Sequence, residues 1–302
     1  MADGKNRTLS FARRAVQVGW GALHNAHVGG FLTGKIYEGK LKQFCVPGMN
    51  CYSCPGALGA CPIGAIQSVL GARKPKFAFY ALGWIAVIGI LVGRFVCGWL
   101  CLFGLIEELL YKIPTPKLTV PEKADRILRR LKYVFLFAVV LLFPVILRDE
   151  YGIGAPWFCK WICPVGTLEG GIPLLILDKA LRPAAHFLYA WKLFLLLLTL
   201  VGSVFIYRPF CKYVCPLGAF YSLVQKIGFL RLRRDDAACV NCGKCARVCG
   251  MRVDPVLDPD SAECIRCGEC VRSCPENALR FVPAGKGRKK ALLGDPLPGK
   301  EK

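Results

Sequence analysis

The sequence predicts an all-α polytopic membrane domain, with about four spans and re-entrant C-x3-C segments, followed by a C-terminal α+β dicluster domain. Three observations carry this expectation. The 302 residues have a positive mean hydropathy, +0.42, set by long uncharged stretches. The 41 Lys and Arg outnumber the 20 Asp and Glu and flank the apolar runs, which is how cationic loops retained in the cytoplasm look. Two runs of four cysteines each stand near the C-terminus. A strong positive charge also marks nucleic-acid binders, but here the basic residues form no single patch, so nucleic acid is not expected as a partner. The 18 cysteines do not suggest a secreted disulfide scaffold, because such scaffolds are short and loop-rich. No cleavable signal peptide is visible in the basic N-terminal stretch.

Taken along the chain, four segments offer the on the order of 20 apolar residues that cross a bilayer core of about 30 Å. Residues 15–32 are the weakest, holding Gln17, His24, Asn25 and His27. Residues 77–96 are almost unbroken apolar, 133–147 are short but uncharged, and 187–206 contain one lysine, Lys192, able to snorkel. The loop 112–132 carries seven Lys/Arg against Glu122 and Asp125, which places it in the cytoplasm together with the N-terminus and the C-terminal module. An even number of crossings follows, so the weak segment is expected to span. That topology leaves the loop 35–76 outside with six basic residues and only Glu38, against the same charge rule.

Three stretches repeat a C-x3-C pattern with an aromatic between the cysteines and a glycine three past the second. They are Cys97/Cys101 with Gly104, Cys159/Cys163 with Gly166, and Cys211/Cys215 with Gly218. On a helix, positions i and i+4 share one face, so two facing pairs would present four thiolates to a [4Fe–4S] cluster. Only Cys97 and Cys211 have an arginine three residues upstream, Arg94 and Arg208, and both follow a span of the same direction. Cys97, Cys101, Cys211 and Cys215 are therefore expected to form one set, with the arginines offsetting its negative charge. Helix-packing cysteines or disulfides are the plainer explanation of such a pair, and a third copy weakens it.

Cys45, Cys51, Cys54, Cys61, Cys159 and Cys163 remain, all on the outer side. Cys61-Pro-Ile-Gly-Ala repeats the ending of Cys215-Pro-Leu-Gly-Ala, so the N-terminal stretch reads as a fourth, stretched copy. Six thiols cannot fill two four-cysteine sets. Either Cys159 and Cys163 join two of the N-terminal four, or Cys45, Cys51, Cys54 and Cys61 form a set alone. The sequence leaves both open.

The C-terminal runs each read C-x2-C-x2-C-x3-C, the ligand spacing of bacterial two-cluster ferredoxins, in which the fourth cysteine serves the other cluster. The expected sets are Cys239, Cys242, Cys245 and Cys274, and Cys264, Cys267, Cys270 and Cys249. Zinc ribbons use two separated C-x2-C pairs instead. The domain expectation is residues 1–230 for the membrane part, 231–282 for the ferredoxin part as two short β–α units, and 283–302 as a disordered basic tail. His24 and His27 lie one turn apart but are better explained as a polar patch than as ligands. Glu107, Glu108 and Glu169 follow the C-x3-C copies and read as solvated interfacial groups. No G-x-G-x-x-G turn supports a bound dinucleotide, and no acid–base or nucleophile constellation stands out.

The succession of apolar segments, the sequence Phe210-Cys-Lys-Tyr-Val-Cys-Pro-Leu-Gly-Ala and the paired cysteine runs resembles the NapH-type membrane polyferredoxins, relatives of the membrane iron–sulfur parts of nitrous-oxide-reductase and cytochrome-oxidase accessory proteins. The resemblance covers residues 11–282. The cysteine-rich segment 45–61 and the pair Cys159/Cys163 depart from it and mark a distinct subfamily. It implies an electron carrier in a prokaryotic cell membrane, with its ferredoxin part in the cytoplasm, that links a quinone pool or another membrane donor to a redox protein through [4Fe–4S] clusters. The alternative is a membrane reductase or maturation factor acting directly on a metal ion or quinone. A redox sensor is a third reading.

Overall fold

The computed structural model describes residues 2–74, 77–184 and 186–284. The basic tail expected from residue 283 lies outside the described residues from 285 onward. Short helices dominate, and the strands among the described residues are β1 (Leu230–Arg234) and β2 (Leu279–Pro283), paired antiparallel with Leu232 opposite Phe281. The two strands thus clasp the start and end of the cysteine-rich C-terminal region, in place of the expected pair of β–α units. Between them lie two short helices, Lys244–Arg247 and Glu269–Ser273.

The four-span arrangement is not what the chain adopts. One described helix, Phe187–Phe205, is long and apolar enough to cross a membrane. In the segment 77–96 the helix runs only over Phe79–Val92 and stops at Gly93, whose φ of 57° lies in the left-handed region. Fourteen residues at 1.5 Å rise reach about 21 Å, short of the roughly 30 Å needed. In the segment 133–147 the helix begins earlier, as the charged Glu122–Val134, continues as a π-helix over Phe135–Leu142 and ends in Phe143–Ile146. Lys132 within that run is fully buried and paired with Glu263. In the segment 15–32, Asn25 and His27 separate the helices Ala2–His24 and Val28–Thr33. Hydropathy saw the apolar content of these segments but not the turns and buried charges that cut them. The parity argument for the N-terminus falls with the spans.

One large core joins the two halves of the chain. It contains Cys97, Cys101, Cys211, Cys215, Phe103, Phe210 and Tyr221 together with Met251, Val253 and Ile265 from the C-terminal region. Four arginines, Arg13, Arg94, Arg208 and Arg266, are among the largest fully buried side chains. Each has an acidic partner: Arg208 and Arg13 share Glu108, Arg94 shares Glu263 with Lys132, and Arg266 meets Asp260. Buried pairs of this kind contribute little net stability but make any single removal costly.

Candidate metal-cluster nests

The C-x3-C copies fold alike, and not as one helix. The first cysteine sits in a short helical turn: Cys97 in Phe95–Trp99, Cys211 in Pro209–Tyr213 and Cys159 in the π-helical turn Phe158–Ile162. The second occupies the N-cap of the next helix, with extended ψ values of 114° at Cys101, 111° at Cys163 and 113° at Cys215. Proline after Cys163 and Cys215 forbids helical backbone at the residue before it and starts the new helix. Leu102 replaces that proline after Cys101 without changing the turn. In all three copies the motif glycine donates its N–H to the second thiol: Gly104 to Cys101 at 3.5 Å, Gly166 to Cys163 at 3.5 Å and Gly218 to Cys215 at 3.3 Å. A helix N-terminus and an amide donor favour the thiolate. Cys61 is likewise an N-cap, with Pro62 at the first helical position of Pro62–Leu70.

The residue six past each second cysteine ties its copy to a facing one. Glu107 accepts the N–H of Phe210, next to Cys211. Gln67, six past Cys61, accepts the N–H of Phe158, next to Cys159. Glu169, six past Cys163, accepts the N–H of Cys51. Tyr221, six past Cys215, donates to Pro47 O. This spacing of six is visible in the sequence itself. It also corrects the reading of Glu107, Glu108 and Glu169 as solvated: Glu107 and Glu108 are buried and bonded, and burial pushes Glu107 up to about 7 and Glu169 up to about 8.

The thiols gather into four nests. Nest A is a cavity of about 350 Å3 lined by Cys51, Cys61, Cys159 and Cys163, with Tyr52, Leu174, Leu188 and Lys192 around it. Nest B is a small closed cavity lined by Cys97, Cys101, Cys211 and Cys215. Nest C, about 340 Å3, is lined by Cys249, Cys264, Cys267 and Cys270, and also by Tyr207, Glu108 and Lys112. Nest D is lined by Cys239, Cys242, Cys245 and Cys274. Cys45 and Cys54 are buried near nest A without lining its cavity; Cys45 forms a bridge with Ala60. His27 bonds Pro55 O at 3.0 Å and His24 packs edge-on against Trp20, apart from the thiols.

Two arginines that the sequence singles out, Arg94 and Arg208, pack beside nest B without lining its cavity, each reaching towards the other copy's glycine. A Cβ on Gly104 would lie 2.8 Å from Arg208 Nη1, and one on Gly218 would lie 3.6 Å from Arg94 Nη2. Arg208 holds a left-handed φ of 48°, an uncommon conformation for a side chain this size, and donates to Cys97 O at 2.7 Å. Arg94 is fully buried with its guanidinium against the Cys97 thiol.

All 18 cysteines are free thiols, and deep burial makes a lone thiol costly to ionise. It pushes Cys45 up to about 11, and Cys51, Cys159 and Cys264 up to about 12. In nest B a shared hydrogen bond lowers Cys101 and raises Cys211. No three His, Cys, Asp or Glu side chains among the described residues converge tightly enough for one metal ion. Four thiols around a wider space, with amide donors aimed at them and, in nest B, a buried arginine beside Cys97, fit a cube of irons and sulfides better than a single ion.

Adjacent nests touch. Met49 lines both A and B, its amide directed at Cys101 while that of Asn50 is directed at Cys61. Gly98, beside Cys97, packs on Ile265 and Cys267 of nest C. Cys270 of nest C and Cys245 of nest D share a small core with Leu232 and Leu279.

Comparison with known proteins gives the same chemistry. The Fer4_5 family, described as a 4Fe-4S binding domain, matches residues 77–121, 133–176 and 188–234, one match for each C-x3-C copy. The Fer4 family, also a 4Fe-4S binding domain, matches 258–280. Among curated proteins, MJ0750 of Methanocaldococcus jannaschii, itself uncharacterized, is 34% identical over 56% of this chain and 63% of its own length. YccM of Escherichia coli, named for a proposed part in electron transport, is 28% identical over 55% of this chain and 44% of its own. The methylamine utilization ferredoxin-type protein MauN of Methylorubrum extorquens is 28% identical over 62% of this chain and 59% of its own. The chain thus spans about half the length of the curated relatives it matches. No solved structure matches it.

Proposed function

We propose that this chain, which carries 4Fe-4S binding-domain matches and is similar to ferredoxin-type electron-transport proteins, is a membrane-attached electron conduit. It carries electrons between a lipophilic donor or acceptor at nest A and a protein partner at nest D. The observation that carries this reading is the unbroken succession of four thiol nests, each touching the next. A [4Fe–4S] cluster in each nest would accept and release one electron at a time. The ligand sets are Cys51, Cys61, Cys159 and Cys163; Cys97, Cys101, Cys211 and Cys215; Cys249, Cys264, Cys267 and Cys270; and Cys239, Cys242, Cys245 and Cys274.

The chain's own residues shape the two ends. Nest A is roomy and is walled by Leu174 and Leu188, the latter from the membrane-length helix Phe187–Phe205, which supports a quinone there. Nest D is the most exposed, with Cys242 at the surface and Val240 65% exposed, which supports contact with a soluble redox protein. Exposed Phe194, Leu197, Leu198 and Val201 on the long helix support its insertion in a prokaryotic cell membrane, with residues 231–282 as a ferredoxin domain on the cytoplasmic side. The openness of nest A also supports the alternative of direct reduction of a metal ion or quinone.

The test is to mix anaerobic protein with a short-chain quinol and follow bleaching of the iron–sulfur absorption. The conduit reading expects bleaching that Leu174→Trp slows without changing iron content. Bleaching by dithionite but never by quinol would rule out the lipophilic end.

A further inference from the structure

Gly98 lies between the two cysteines that nest B draws from the first C-x3-C copy. A Cβ there would clash with Ile265 O, well inside van der Waals contact distance, and lie 3.6 Å from Cys267 Cα. Ile265 stands between Cys264 and Cys267, two of the nest C thiols, and is 1% exposed. The absence of a side chain at 98 is therefore what lets the backbone of one nest rest directly on the backbone of the other. Compare Gly83, in the preceding helix, where a Cβ would meet nothing within 4 Å.

The same short loop is gripped from every side. Trp99 Nε1 donates to Arg266 O at 3.1 Å, and Arg94 Nη1 donates to Ala262 O at 3.1 Å and to Glu263 at 2.9 Å. Gln225 Nε2 donates to Ser261 O at 2.9 Å and Cys264 O at 2.7 Å, while its Oε1 accepts the N–H of Arg94. Arg266, held at a left-handed φ of 52°, reaches back to Val92 O at 2.7 Å. A ferredoxin region that docked and undocked would not need so many bonds to backbone carbonyls, each of which must find another partner on release.

Resting on the reading that nests B and C both hold clusters, we infer that Gly98 is a positioning residue for electron transfer. Its contact with residues 265–267 is the fixed seam by which electrons pass between the membrane part and the ferredoxin part. A single electron crosses, oxidising the donor side and reducing the acceptor side, with no bond made or broken and no proton moved. The seam is buried and bonded, so it works without a docking motion.

The test uses the full-length protein, purified anaerobically in detergent and fully reduced, and reads magnetic coupling between clusters as broadening of the low-temperature EPR lines. Gly98→Ala and Gly98→Leu are expected to keep the iron content and narrow the lines towards those of isolated clusters, leucine more than alanine. Gly83→Ala leaves them as they are. Should the Gly98 variants lose iron, Trp99→Phe, which removes one clamp bond and leaves the glycine, is expected to narrow the lines partly at full iron content. Broadening unchanged in Gly98→Leu, or in Trp99→Phe if that glycine tolerates no substitution, at full iron content overturns the seam and leaves the conduit standing. An unmutated protein holding only about 8 irons would instead remove the conduit and the seam together.

Discussion

Nests A and B are built from the same repeated turn, yet they differ in what surrounds it. Nest B is closed, its four cysteines at most 9% exposed, and the buried Arg94 and Arg208 pack beside it. Nest A opens on an apolar cavity of about 350 Å3, and Cys51 and Cys159 are only partly covered. Among the described residues the cations that line A are Lys160 and Lys192, and Lys192 donates to Cys159 O. The turn fixes where thiols converge, and the flanking residues decide whether the nest is a passage or an entrance.

The largest effects should come from the thiols themselves. Serine at 97, 101, 211 and 215 is expected to remove about four irons per chain, and serine at 51, 61, 159 and 163 another four or so. Serine at Cys45 or Cys54 should leave the iron count unchanged, because neither lines a nest. Retention of full iron after the second set of changes, with loss after changing Cys45 and Cys54, would redraw nest A. Colorimetric iron analysis reads all three.

Charge removal comes next. Arg208→Gln leaves Glu108 short of a buried partner and Cys97 O short of a donor, so a loss of about 3–5 kcal/mol is expected in chemical denaturation. Lys160→Gln, at an exposed position on the rim of nest A, should change stability by under about 0.5 kcal/mol. Equal losses from the two would erase the contrast between the nests.

The glycines give the finest comparison. Gly104→Ala must displace Arg208 by a few tenths of an ångström and is expected to cost about 1–3 kcal/mol, the range of overpacked cores. Gly218→Ala, with 3.6 Å to Arg94, should cost less. Thermal melts of the two variants, run side by side, give the order.

Much of this was legible in the sequence, for reasons that differ by region. The C-terminal runs are local, so spacing alone groups their eight thiols as the structure places them. The juxtaposition of Cys97, Cys101, Cys211 and Cys215 could be read because Arg94 and Arg208 mark both copies. The sequence could not choose the companions of Cys159 and Cys163, since that depends on how residues 45–61 cross the molecule. Gln67, bonded to Phe158, carries the missing hint: it holds in the Cys61 copy the place Glu107 holds beside Cys101. The spans were misread because average hydropathy is blind to Gly93 in the left-handed region and to Lys132 buried against Glu263. Gly98 and Met49, which join the nests, carry no sequence signal of their own; only the fold brings them to a neighbour.

The count of iron and acid-labile sulfide in the anaerobically purified, unmutated chain tests the central claim most directly. Four nests predict about 16 of each per chain. About 8 of each would mean that only the C-terminal runs bind clusters, and the thiols of nests A and B would then be packing residues.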